Sequence, residues 1–219
     1  MGKTACIFGS TGLVGSCLVS QLIDDSQYEK IIVFNRKKQG NNNPKIVEIV
    51  DDYSNLAQNA ALLKADEYYC CLGTTIGKAK SKPAFEYVDY NLPIEIGNLA
   101  QTNDIKYYLV VSSIGASPKS GNFYLRTKGG MEEALTKLNI NNLFIFRPSL
   151  ILGKRNETRV LESISKVMMI ALGFLFVGPI KKYRAIHAKT IAKAMINTIE
   201  KLSGKHILES DQIQEMSKF

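Results

Sequence analysis

Apolar positions along this chain fall into two alternating patterns. Short runs rich in β-branched and aromatic residues read as buried strands at Thr4–Phe8, Lys30–Asn35, Lys45–Val50, Glu67–Leu72, Lys106–Ser112 and Asn142–Phe146. Between them apolar residues recur at three- and four-residue spacing, which predicts helices near Gly12–Asp24, Leu56–Lys64, Pro83–Thr102 and Phe123–Leu138. Strands alternating with helices predict an α/β fold, a Rossmann-like doubly wound parallel sheet. From about Ser149 the pattern turns mostly helical, with Val160, Ile164, Val167, Met168, Ala171, Leu172 and Leu175 at helical spacing. This small C-terminal segment is expected to cap the sheet and shape a substrate cleft, and Phe174-Leu-Phe-Val-Gly-Pro179 within it reads as a sticky patch if exposed. Residues 1–219 read as a single domain.

Gly9-Ser10-Thr11-Gly12-Leu13-Val14-Gly15 falls where the first strand hands over to the first helix. With 16 glycines in 219 positions, chance supplies only about 0.09 triplets at this spacing. In a parallel βαβ unit such a turn aims backbone N–H groups of the helix N-terminus at a pyrophosphate, where the helix dipole also favours negative charge. A turn that merely needs glycine conformations is the plainer alternative, and the position between strand and helix argues against it. All seven residues are therefore expected to bind a dinucleotide.

The second strand ends in Asn35-Arg36-Lys37-Lys38, where an acid would hold the ribose 2′-OH of NAD and a basic residue suits the extra phosphate of NADP. The expected cofactor is NADP(H) rather than NAD(H), with Asn35, Arg36 and Lys37 around it; ordinary loop cations are the alternative. Asp51 and its neighbour Asp52, after the third strand, reach either the adenine amine or cap a turn. Leu72, Gly73 and Thr74 end the fourth strand at the same carboxyl edge, where small residues let a cofactor approach.

Tyr124 and Lys128 lie four apart at the start of a predicted helix and so share a face. About one such pair is expected by chance in this composition, so placement carries the argument. The helix follows the strand ending in Ser112-Ser113, at the edge that carries the glycine loop. A free tyrosine, with a pKa of ~10, is a poor acid–base group near neutrality until an adjacent ammonium stabilises its phenolate. Lys128 can supply that charge, Tyr124 can then exchange a proton with a carbonyl or alcohol oxygen, and Ser112 or Ser113 can hold that oxygen.

Lysine and arginine number 28 against 20 acids, a net charge of +8 that is spread over the chain. Cations gather in the C-terminal third without interleaved aromatics, which reads as a solvated face and not as a nucleic-acid surface. Cys6, Cys17, Cys70 and Cys71 have no metal-ligand spacing and read as reduced thiols, and no metal is expected. His187 and His206 read as structural. Met1 runs straight into the first strand, and the longest apolar stretch, Val167 to Ile180, falls short of the ~20 residues a membrane span needs. A cytoplasmic protein without a transmembrane segment is the expectation. The partners expected are a small carbonyl or alcohol substrate and, as the macromolecular one left open, a second copy of the chain in a homodimer.

Gly9-x-x-Gly12-x-x-Gly15, Ser112-Ser113, Tyr124-x-x-x-Lys128 and Phe146-Arg-Pro-Ser149 together resemble the short-chain dehydrogenase/reductase superfamily in its atypical and extended branch. Cys70-Cys-Leu-Gly-Thr-Thr-Ile-Gly-Lys78, Ser113-Ile-Gly-Ala116 and Phe144-Ile-Phe-Arg-Pro148 look more closely like the Tat-interacting-protein oxidoreductase family and its bacterial relatives. The likeness runs from about Lys3 to Glu209. It implies a Rossmann-like fold, NADPH, and an oxidoreductase site of Tyr124, Lys128 and a serine. It also implies that Arg147, Pro148 and Ser149 border the nicotinamide and substrate. Ser113 matches the usual superfamily position, while some close relatives keep only the first serine. Two alternatives accompany this reading: a thiolate enzyme built on Cys70 and Cys71, and a non-catalytic NADPH sensor, a role some members of this branch fill.

Overall fold

The computed structural model describes residues 2–153 and 183–219. Its chain runs through β1 (Lys3–Phe8), α1 (Leu13–Asp24), β2 (Tyr28–Asn35), β3 (Ile46–Val50) and β4 (Glu67–Cys70). Two short helices follow, α2 (Ile76–Ala79) and α3 (Lys82–Glu86). A π-helical turn at Tyr87–Asn91 joins α3 to α4 (Leu92–Thr102). After β5 (Tyr107–Val111), α5 (Phe123–Lys137) and β6 (Asn142–Arg147) come two short strands, β7 (Ile151–Leu152) and β8 (Ile186–His187), paired with each other. The chain ends in α6 (Ala188–Lys201), β9 (Lys205–Glu209) and α7 (Ser210–Met216).

The main sheet has the order β3-β2-β1-β4-β5-β6-β9, and every pairing in it is parallel. Strand order reverses between β1 and β4, and open α/β sheets bind ligands in the crevice at such a point. This is the doubly wound Rossmann-like sheet the sequence predicts.

Alternate residues of each strand enter opposite cores. Ile7, Ile31, Leu109 and Phe144 face α1 and α6 with Leu18, Leu22, Ile191 and Met195. Phe8, Ile32, Tyr108 and Ile145 face α4 and α5 with Ile96, Leu99, Met131 and Leu135. A sheet covered on both sides needs apolar residues on both faces, and for that reason the strands appear in the sequence as near-continuous apolar runs.

Two elements differ from expectation. Residues 56–64 form consecutive turns and not a helix. Most of their bonds are i→i−3, as in Ala60 N–H to Ala57 O, and the Asn59 amide turns away to Asp51 at 2.8 Å. The helix expected over Pro83–Thr102 is interrupted by the π-helical turn. The mostly helical tail ends on a strand-like segment around His206, and this forms the seventh parallel strand, β9, with the Leu143 to Arg147 stretch of β6 paired to Lys205–Glu209. The apolar stripe from Val160 to Leu175 and the Phe174–Pro179 patch lie outside the described residues.

Candidate active site at the carboxyl edge

The glycine turn is built by close backbone approach. Gly9 has φ +87°, and a Cβ there would sit 2.8 Å from the Cys71 carbonyl carbon, so the loops after β1 and β4 abut. A Cβ on Gly15 would lie 2.2 Å from the Gly9 carbonyl oxygen, so only glycine lets α1 start this close to the turn. Gly12 is the N-cap, no side chain among the described residues caps the helix, and no acid stands in its first turn. The first amides of α1 are thus left for an anion, with the dipole in its favour. Leu13 and Val14 pack into the core. The loop fits the pyrophosphate of a dinucleotide.

Ser10 is turned inward and its hydroxyl donates to Asn35 Oδ1 at 2.6 Å. The Asn35 amide donates to Glu48 at 2.9 Å, and Glu48 also accepts from the backbone N–H groups of Gln39 and Gly40. Bonding to Asn35 first, and then to those amides, holds the Glu48 carboxyl below its ordinary range. This relay fixes the loop after β2, leaving Arg36 and Lys37 exposed at its rim. The aspartates after β3 are engaged locally, Asp51 by Asn59 and Asp52 by the Ser54 amide.

At the end of β5 the adjacent serines part company. Ser112 is buried and its hydroxyl donates to the Glu132 carboxylate at 2.5 Å. Ser113 is half-buried, and its hydroxyl makes a single long bond, 3.4 Å, to the Ile114 carbonyl among the described residues. Glu132 in turn takes the Arg147 guanidinium through Nε at 3.0 Å and Nη2 at 2.5 Å, while Arg147 Nη1 reaches Glu209 at 3.1 Å. Arg147 therefore ties α5, β6 and β9 together. Pro148 is buried and its carbonyl accepts from Ile114 N–H, and the Ser149 hydroxyl is bonded to the Arg184 carbonyl.

Helix α5 is pressed against the loop after β5, since a Cβ on Gly129 would lie 2.1 Å from the Ser117 carbonyl carbon. That approach carries Lys128 into the interior, where it is 3% exposed. Its Nζ pairs with Asp89 Oδ1 at 2.8 Å and donates to the Val111 carbonyl at 3.4 Å. Burial opposes its charge, but Asp89 and Tyr124 beside it outweigh that cost and raise its pKa above the ordinary value. Tyr124, one turn earlier and half-buried, packs its ring against Phe85 at 5.7 Å.

Asp89 and Glu132 are absent from the residues the sequence singles out. Both were findable: each is an acid on an apolar helical stripe, Asp89 between Phe85 and Leu92, Glu132 between Met131 and Leu135. Burial pushes the Cys70 thiol up to about 11 and drives Cys71 higher still, which disfavours the thiolate at both. His206 stacks on Phe144 and bonds the Ser203 carbonyl, a structural placement.

A sequence profile of the HIM1 family matches residues 20–175. The chain belongs to that family. It is 27% identical to the protein HTATIP2 of Rattus norvegicus over 227 residues, covering 99% of this chain and 90% of that one. It is 32% identical over 169 residues to the mitochondrial protein FMP52 of Lodderomyces elongisporus, covering 73% and 71%. Among solved structures, the Bordetella bronchiseptica enzyme WbmG in complex with NAD superposes with a TM-score of 0.68 at 11% identity, over 95% of this chain and 73% of that one. This HIM1-family chain thus joins a sequence similar to HTATIP2 to a Rossmann-like sheet of the kind seen in that NAD complex.

The expectation of a cytoplasmic protein is overturned by the same relatives, since the FMP52 proteins of several fungi are named as mitochondrial. Amino-acid composition and the length of an apolar stretch carry no address. Among the described residues no helix is long and apolar enough to cross a membrane.

Proposed function

We propose that this chain is an NADP(H)-dependent oxidoreductase that reduces a carbonyl or oxidises an alcohol on a small molecule. The observation that carries the reading is Lys128, the cation of the Tyr124-x-x-x-Lys128 pair, buried and ion-paired at the carboxyl edge where the glycine turn and the β4 loop meet. Gly9 to Gly15 hold the pyrophosphate on the α1 N-terminus, and Arg36 with Lys37 takes the 2′-phosphate. Leu72, Gly73 and Thr74 line the opposite wall. When bound, the cofactor supplies or accepts a hydride.

Tyr124 moves the proton to or from the substrate oxygen, and Lys128 lowers the cost of its phenolate. Ser113 holds that oxygen and stabilises the charge that develops on it, since Ser112 already donates to Glu132. The mitochondrial name of the fungal relatives makes the mitochondrion the proposed setting. Calorimetric titration with NADPH and NADH tests the cofactor half of the reading: NADPH is expected to bind more tightly. Equal affinity overturns the NADP assignment, and no binding of either overturns the whole.

A further inference from the structure

We propose that Asp89 is the positioning residue of this site: its carboxylate fixes Lys128 as a protonated cation beneath Tyr124 and pins the cofactor loop after β4 to the same point. The inference rests on the oxidoreductase reading of Tyr124 and Lys128. Asp89 is 1% exposed, and both of its oxygens are committed. Oδ1 meets Lys128 Nζ at 2.8 Å, and Oδ2 accepts the backbone N–H of Thr74 at 2.8 Å. One carboxylate thus joins α5 to the loop after β4, from a π-helical turn that breaks an otherwise regular helix. Such turns are uncommon and concentrate at functional sites.

An ammonium has three N–H groups. Asp89 and the Val111 carbonyl use two of those on Lys128, which leaves one for the tyrosine side of the site. Without Asp89 a lysine this deeply buried loses the partner that offsets its desolvation and tends to give up its proton. It then could not stabilise a phenolate. Among the described residues, the groups facing Lys128 are few. Cys70 on β4 is kept neutral by burial. Tyr124 shares α5 with it, and Glu132, one turn further along, is taken up by Arg147. Asp89 is thus the group that decides the charge on Lys128.

The test needs neither cofactor nor substrate. Lysine labelled at Cε gives a carbon resonance that moves on deprotonation, and that of Lys128 is assigned by its absence in Lys128→Arg. In wild type it should titrate above the ordinary lysine value. In Asp89→Asn, which can still accept from Thr74, the midpoint should fall by about one pH unit or more. An unchanged midpoint in a folded Asp89→Asn overturns the proposal. So does a wild-type Lys128 that titrates at or below the ordinary value, which keeps the proposal testable even if the variant does not fold. A companion readout is the pH profile of turnover, whose alkaline limb should move to lower pH in Asp89→Asn; a limb that stays put counts against the proposal. Loss of the oxidoreductase reading shows separately, as turnover indifferent to Tyr124→Phe, and leaves the lysine titration standing.

Discussion

The Ser112 hydroxyl is bonded at 2.5 Å to a buried Glu132 carboxylate, whereas among the described residues its neighbour Ser113 makes only a 3.4 Å contact to the carbonyl of the next residue. Two serines that look equivalent in sequence therefore differ in what they have left to offer a substrate. Ser113→Ala should lower turnover by roughly 10²-fold or more, the scale of losing one oxyanion donor, with little change in melting temperature. Ser112→Ala should cost about 1 kcal/mol of stability and spare most of the rate. Initial rates and thermal unfolding of the two variants check this, and the reverse pattern would exchange their roles.

Glu132 anchors Arg147, which also reaches Glu209, so its removal strands a cation. Arg147 is 21% exposed, and this moderates the penalty. Glu132→Ala should destabilise the fold by about 2 to 3 kcal/mol in urea unfolding, below the 3–5 kcal/mol typical of a fully buried pair. A change within about 0.5 kcal/mol would show that the network is ornamental.

The exposed Arg36 stands on a loop fixed by Asn35 and Glu48. Arg36→Asp should weaken NADPH binding at least tenfold while leaving NADH nearly unchanged, read by calorimetry. Equal loss for both cofactors, or none, removes the 2′-phosphate role.

At the opposite edge of the sheet, burial raises the Glu67 carboxyl above its ordinary 4.5, against the pull of hydrogen bonds from Tyr28 and Tyr69. A carboxyl raised on folding binds its proton more tightly in the native state. The stability linked to that proton is complete below the ordinary value and is lost as pH rises through the folded value. Stability of the wild type relative to Glu67→Gln should therefore decline from about pH 4.5 upward and then level off. A difference that grows over the same interval would contradict the assignment.

Much of this was legible in the chain. Strands covered on both faces announce themselves as apolar runs, and the glycine turn fell where β1 meets α1. The pair Tyr124 and Lys128 was findable from its placement after the strand ending in Ser112-Ser113, yet its setting was not, because Lys128 enters the interior through contacts with residues distant in sequence. Local propensity misread residues 56–64, where the Asn59 side chain and a run of i→i−3 bonds win over a continuous helix. The π-helical turn has no periodicity of its own in a short window, so the sequence shows Asp89 as an acid on an apolar stripe but not the turn that carries it. Assignment to a compartment failed for a different reason, since it was read from the first residues and the longest apolar stretch, and neither encodes it.

The oxidoreductase role is tested by NADPH consumption against a panel of aldehydes, ketones and quinones, compared between wild type and Tyr124→Phe. Turnover is expected with at least one compound, with a loss of roughly 10² to 10⁴-fold in the variant and NADPH affinity preserved. Turnover that survives the substitution, or tight NADPH binding with no turnover on any compound, would contradict it, and the second result would favour a cofactor sensor.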